Sequence, residues 1–123
     1  MAPTVLIADG SEFMRKLMKR LLSDQFDVLD STAADGEEVV DLYKEFAPDV
    51  VVMEIAMPHR NGLKATAELK QFDDDARVVV CTHVDDENSR DMAEKAGAAA
   101  YVQKPFDRTD LVQSIRGVIS AGA

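Results

Sequence analysis

Short continuous apolar runs alternate along this chain with stretches in which apolar residues recur every three or four positions. The runs are Val5–Ala8, Phe26–Leu29, Val50–Met53, Arg77–Cys81 and Ala99–Gln103. A run of strand length rich in β-branched side chains predicts a strand buried on both faces, as in the middle of a parallel sheet. Val50-Val51-Val52-Met53 is the purest of them, preceded by Asp49 and stopped by Glu54, with Pro58 shortly after. A strand buried on both faces does not hold a charge in its interior, so Glu54 is placed at its carboxyl end. The Phe26–Leu29 run carries Asp27 and is therefore expected nearer an edge of the sheet.

Between the runs the period is helical. Ser11 is a good N-cap for a first helix whose apolar stripe is Phe13, Met14, Leu17, Met18, Leu21 and Leu22. Asp35-Gly36-Glu37-Glu38 opens a second, with acids at the positive end of its dipole and Val39, Val40, Leu42, Tyr43 and Phe46 as its buried side, and Pro48 ends it. Pro58-His59-Arg60-Asn61-Gly62 reads as a turn, after which Leu63, Thr66, Ala67 and Leu69 face inward on a third helix. A fourth, weakly apolar helix covers about Asp86 to Ala96 and stops at Gly97, a natural residue just past a helix end. The last, from about Asp107 to Ser120, buries Leu111, Val112, Ile115, Val118 and Ile119.

Strand alternating with helix in this way predicts a doubly wound α/β fold, a five-stranded parallel sheet with helices on both faces. Right-handed crossovers then bring the carboxyl ends of all strands to one edge, where ligands of open α/β sheets bind. The residues at the exits of strands one, three, four and five are Asp9, Glu54, Thr82 and Lys104. A polar residue at one strand end is commonplace. Two carboxylates, a hydroxyl and an ammonium at four ends of one edge form a constellation that packing alone does not require.

Composition narrows what that edge serves. The 123 residues are expected to form one domain with a single core, spanning residues 1–123, with no output domain in this stretch. No apolar run approaches a membrane span, and the opening Met1-Ala2-Pro3-Thr4 lacks the basic flank of a signal peptide. One cysteine, Cys81, fits a reducing cytoplasm, and nothing nearby suggests a reactive thiolate. A formal net charge of -9 argues against nucleic acid and for a protein partner. Arg15, Lys16, Lys19 and Arg20 on the outer face of helix one read as a solvated helix face, with a docking patch for an acidic partner as the alternative. His59 and His83 read as loop histidines, His83 lying next to Thr82 at the pocket mouth.

The stretches Val5–Asp9, Val51–Pro58, Asn61-Gly62, Cys81-Thr82, Ala96–Ala98 and Tyr101–Phe106 together resemble the response-regulator receiver domains of two-component phosphorelay signalling, over essentially the whole chain. The resemblance implies a flavodoxin-like sheet in the order 2-1-3-4-5. In that family an aspartate ending strand three accepts a phosphoryl group from a histidine kinase with the help of magnesium, and a threonine and a lysine bind the phosphoryl oxygens. By resemblance the phosphoacceptor position falls on Glu54, the pocket on Asp9, Thr82 and Lys104, and the switch on Thr82 and Tyr101. The metal ligands fall on Asp9, Glu54 and the Ala56 carbonyl. A cis peptide between Lys104 and Pro105 is implied as well.

Two positions depart from the pattern. Glu54 stands where the family has aspartate, and Gly10 where it has a second metal-binding acid. The extra methylene moves the carboxylate by about 1.5 Å, and phosphoryl transfer tolerates little misplacement. Magnesium prefers near-octahedral oxygen ligands, and one is missing. The expectation is a pseudo-receiver, not an enzyme, that needs no cofactor and binds magnesium weakly at best. Its partners are expected to be proteins, a histidine kinase or another signalling protein among them, meeting helix four, strand five and helix five through Tyr101, Asp86, Arg90 and Arg108. Two alternatives stand beside it: a phosphomimetic form of a working receiver, against which Gly10 argues, and a small metal-dependent phosphoryl-transfer enzyme. Glu54 is further expected to pair with Lys104 and to leave Thr82 aside.

Overall fold

The computed structural model describes residues 2–121. Met1 of the opening expected to lack a signal peptide, and residues 122–123 of the expected single domain, lie outside them. The chain runs β1 (Thr4–Ala8), α1 (Glu12–Leu22), β2 (Asp27–Val28), α2 (Gly36–Phe46), β3 (Val50–Met53), α3 (Gly62–Phe72), β4 (Val78–Thr82), α4 (Glu87–Ala96), β5 (Ala100–Gln103) and α5 (Arg108–Ala121). All strand pairs are parallel, in the order β2-β1-β3-β4-β5.

The twofold period of a strand divides each apolar run between two cores. Val5 and Ile7 of β1, Val50 and Val52 of β3, and Val79 and Cys81 of β4 face α1 and α5, where Met18, Leu22, Leu111 and Ile115 cover them. Leu6, Ala8, Val51, Met53, Val78 and Val80 face the other way, onto Val39 and Tyr43 of α2, Ala65 and Leu69 of α3, and Ala93 of α4. Every residue of β3 and β4 is buried, as their unbroken apolar runs require.

The caps fall where the sequence puts them. The Ser11 side chain accepts from the Met14 N–H, and Asp35 accepts from both Glu37 and Glu38 N–H. Gly97 ends α4 at a φ of 108°, a conformation that favours glycine.

Four expectations need correction. β2 is two residues long, an edge strand paired with β1 alone; Phe26 and Val28 are buried, while the charged Asp27 between them points to solvent. Phe13 is 73% exposed: it lies five positions before Met18, roughly 140° around a helix of 3.6 residues per turn, and so misses the core-facing stripe. Phe46 is 45% exposed, since it lies on the last turn of α2 beside a β2 too short to cover it. On α3 the inward alanine is Ala65, in step with Gly62, Thr66 and Leu69; Ala67 is only half-buried.

Candidate functional site

Register places the site. Ala8 of β1 is paired with Met53 of β3, so the next residues on each strand, Asp9 and Glu54, emerge side by side, and the Glu54 N–H donates to the Ala8 carbonyl at 3.0 Å. Thr82 is paired with Gln103, which brings Lys104 to the same edge, its N–H on the Thr82 carbonyl at 2.8 Å. The Lys104–Pro105 peptide is cis.

All four side chains are buried, with exposures of 3% for Asp9, 6% for Glu54, 1% for Thr82 and 4% for Lys104. Charges buried to that degree must be paired. Lys104 Nζ donates to Asp9 Oδ2 at 2.5 Å and to Glu54 Oε1 at 2.9 Å, so one ammonium serves both carboxylates. The remaining oxygens are taken up by backbone. Asp9 Oδ1 accepts from the Ser11 N–H at 2.9 Å, and Glu54 Oε2 from the Ile55 N–H at 2.6 Å, with the Ala56 N–H at 3.4 Å. Among the described residues no buried side-chain nitrogen or oxygen lacks a partner.

The Glu54–Lys104 pairing is the one expected from charge. The Thr82 hydroxyl accepts from the Val84 N–H at 3.3 Å and makes no hydrogen bond with Glu54, which fits the greater strength of a charge-assisted bond. Burial disfavours the Lys104 ammonium, but the hydrogen bonds from it to Asp9 and Glu54 outweigh that and hold its pKa above the ordinary lysine value. Burial pushes the Cys81 thiol up to about 12, which makes it an inert core residue.

The sequence placed Asp9 with a metal ion and did not foresee its bond to Lys104, which reaches it across the ends of β4 and β3; an acid and a lysine at the same edge of the sheet were the available signal. It also missed Arg15, whose Nη1 donates to the Asp9 carbonyl at 2.8 Å. The rest of the α1 basic cluster is largely engaged locally, Lys16 with Glu12 at 3.0 Å and Lys19 with Asp30. His59 and His83 are exposed and neither enters the ion triad.

Tyr101 lies on β5 with its hydroxyl donating to the Val84 carbonyl at 2.6 Å. Asp86 caps α4 through the Ser89 N–H at 2.7 Å, and Arg90 is on the same helix. Arg108, expected on the partner surface, is instead turned to α1. Its Nε donates to the Leu21 carbonyl at 2.8 Å and its Nη2 to Asp24 at 2.6 Å, so it fastens α5 to the end of α1.

The sequence matches the response regulator receiver domain model over residues 5–116. The chain belongs to this family. Among its relatives, the chemotaxis protein CheY of Halobacterium salinarum is 43% identical over 121 residues, covering 98% of this chain and all of the relative. CheY of Thermotoga maritima is 35% identical over 118 residues, covering 96% of this chain and 98% of that one. A similar solved structure is CheY of Borrelia burgdorferi in a complex with CheX, BeF3 and magnesium, with a TM-score of 0.88 at 34% identity, over 94% of this chain and 87% of that one. The receiver fold and a place in two-component signalling follow. None of the described helices is long and apolar enough to cross a membrane.

Among the described residues no three acidic, histidine or cysteine side chains gather at metal-binding separation. The two carboxylates that remain both hold the Lys104 ammonium. Gly10 is not forced by crowding: a Cβ there would meet Pro58 Cδ at 3.4 Å, the Ala34 carbonyl at 3.7 Å and the Ala56 carbonyl at 4.0 Å, all tolerable contacts.

Proposed function

We propose that this receiver is a constitutive protein–protein adaptor whose phosphorylation chemistry is lost at Glu54 and Gly10. The observation that carries the reading is the Lys104 ammonium shared between Asp9 and Glu54, with the second oxygen of Glu54 held by the Ile55 N–H. An attacking carboxylate needs a free oxygen in line with the phosphorus, and positive charge to offset the transferred group. Here the in-house cation is spent on neutralising the acids. The three buried charges sum to -1, where three acids, the lysine and a divalent ion together would sum to zero and be better balanced for an incoming phosphoryl group. A phosphomimetic Glu54 in a working receiver explains the pairing with Lys104 but not Gly10.

Without a chemical input, the surface a partner meets is fixed by the sequence. That surface is α4, β5 and α5, with Tyr101 at its centre and Asp86 and Arg90 beside it; the Arg108 side chain is engaged by its bonds to the end of α1. A ligand shifts a two-state equilibrium only by its differential affinity, so a partner alone is sufficient to select the Tyr101 conformer.

The test uses a partner captured by the intact protein. Its affinity is expected to be the same with and without magnesium and acetyl phosphate, and to fall roughly tenfold or more in Tyr101→Ala, as for a central aromatic contact, with the thermal melting point of the domain little changed. A severalfold gain on adding the phosphodonor, or an unaltered affinity in Tyr101→Ala, contradicts the proposal.

A further inference from the structure

Tyr101 is gripped on two sides by one segment of chain. At its polar end the hydroxyl donates to the Val84 carbonyl at 2.6 Å. Over its face lies the Arg90 guanidinium, with Cζ 4.5 Å from the ring centroid. Arg90 does not hang free. Its Nε and Nη2 both donate to Asp85 Oδ1, at 3.2 Å and 2.9 Å. Val84 and Asp85 are consecutive residues of the β4–α4 connection, so the contacts close a ring: loop to Tyr101, Tyr101 to Arg90, Arg90 back to loop. The Thr82 hydroxyl receives the Val84 N–H at 3.3 Å and ties the same loop to the floor of the pocket.

We infer that Arg90 and Asp85 are positioning residues for Tyr101, holding its ring where the hydroxyl bonds the Val84 carbonyl without any phosphoryl group at the site. The chemistry asks for arginine. A guanidinium is planar, so it stacks on the ring and at the same time presents two N–H donors along its edge to Asp85; an ammonium does one or the other. α4 supplies the rigidity: Asp86 caps it, and the Arg90 N–H is bonded to the Asp86 carbonyl at 3.1 Å, so the guanidinium starts from a fixed first turn. The sequence showed Arg90 only as one polar residue of a partner surface. Here it also acts on Tyr101. The consequence for binding rests on the adaptor reading above: apparent affinity scales with the fraction of molecules in the competent conformer, so a held ring raises it.

The test is made by NMR on the whole chain, without a partner. The carbonyl carbon of Val84 in the wild type and in Tyr101→Phe marks the bonded and unbonded limits, and the Tyr101 ring resonances report the stack; the chain has 2 tyrosines and no tryptophan, so they are readily assigned. Arg90→Ala is expected to move the Val84 carbonyl towards the Tyr101→Phe value and to raise the unbonded population roughly three- to tenfold. Asp85→Ala should act in the same direction, Arg90→Lys should recover only part of the shift, and Lys95→Ala, an exposed residue of the same helix away from Tyr101, should do nothing. A Val84 carbonyl and Tyr101 ring unmoved in Arg90→Ala, or moved equally in Lys95→Ala, overturns the inference. If the ring is freed but the affinity for a captured partner is unchanged, the positioning role stands and the adaptor's use of Tyr101 fails.

Discussion

Glu54→Asp together with Gly10→Asp is expected to restore labelling by acetyl phosphate and magnesium, where either change alone restores little. Each mends a different fault. Shortening Glu54 withdraws its carboxylate by about 1.5 Å, which breaks its hold on the Ile55 N–H and returns an oxygen to the pocket. Misplacement of a reacting group by an ångström costs on the order of a hundredfold. That repair is idle without a metal ion to offset the phosphoryl charge. An aspartate at position 10 meets only ordinary contacts at Cβ, the nearest being Pro58 Cδ at 3.4 Å, and its Cβ lies 4.0 Å from the Ala56 carbonyl that the family resemblance assigns to the metal. The double variant should therefore exceed Glu54→Asp by roughly tenfold or more in initial labelling rate, the cost of a defective metal shell being about ten- to a hundredfold. Equal labelling of the single and double variants would show that the missing ligand at Gly10 was not limiting.

Gly62→Ala is expected to be the most damaging small substitution in the chain. Gly62 opens α3 with its N–H on the Ile55 carbonyl at 2.8 Å, and a Cβ there would sit 1.9 Å from the Glu54 carbonyl oxygen and 2.9 Å from Met53 Cγ. Backbone, not a yielding side chain, stands in the way. The end of β3 must move, and Glu54 with it, for a cost of about 3 kcal/mol or more. Gly117 provides the opposite case. It lies within α5 with nothing within 4 Å of a Cβ, so Gly117→Ala should stabilise by about 0.5–1 kcal/mol through helix propensity. Denaturant unfolding of both variants reads the two effects. A loss below about 1 kcal/mol in Gly62→Ala would mean that α3 is not seated on Glu54 as tightly as the contacts show.

Where the sequence spoke through periodicity, it was legible. The Val-rich runs of β3 and β4 become strands buried on both faces, and Ser11, Asp35 and Gly97 mark helix ends because each supplies a specific hydrogen bond or backbone conformation. The strand exits gave Asp9, Glu54, Thr82 and Lys104 from topology alone, and opposite charge gave the Glu54–Lys104 pair. Other features depend on geometry that a period does not carry. Phe13 is apolar yet lies off the stripe, and Phe46 is uncovered because β2 stops after two residues. That Lys104 would hold Asp9 as well as Glu54 depends on the reach of a side chain across two strands. Arg108 and Arg90 looked alike as surface cations, but one is bound to the end of α1 and the other lies over Tyr101, a distinction made by how the helices pack.

On the adaptor reading, the ion triad of Asp9, Glu54 and Lys104 stands in place of phosphorylation chemistry. The most direct test is intact-mass spectrometry of the unaltered protein after incubation with acetyl phosphate and magnesium, with CheY from Thermotoga maritima treated in parallel. No phosphoryl adduct is expected on this chain. An adduct mapped to Glu54 would contradict the account.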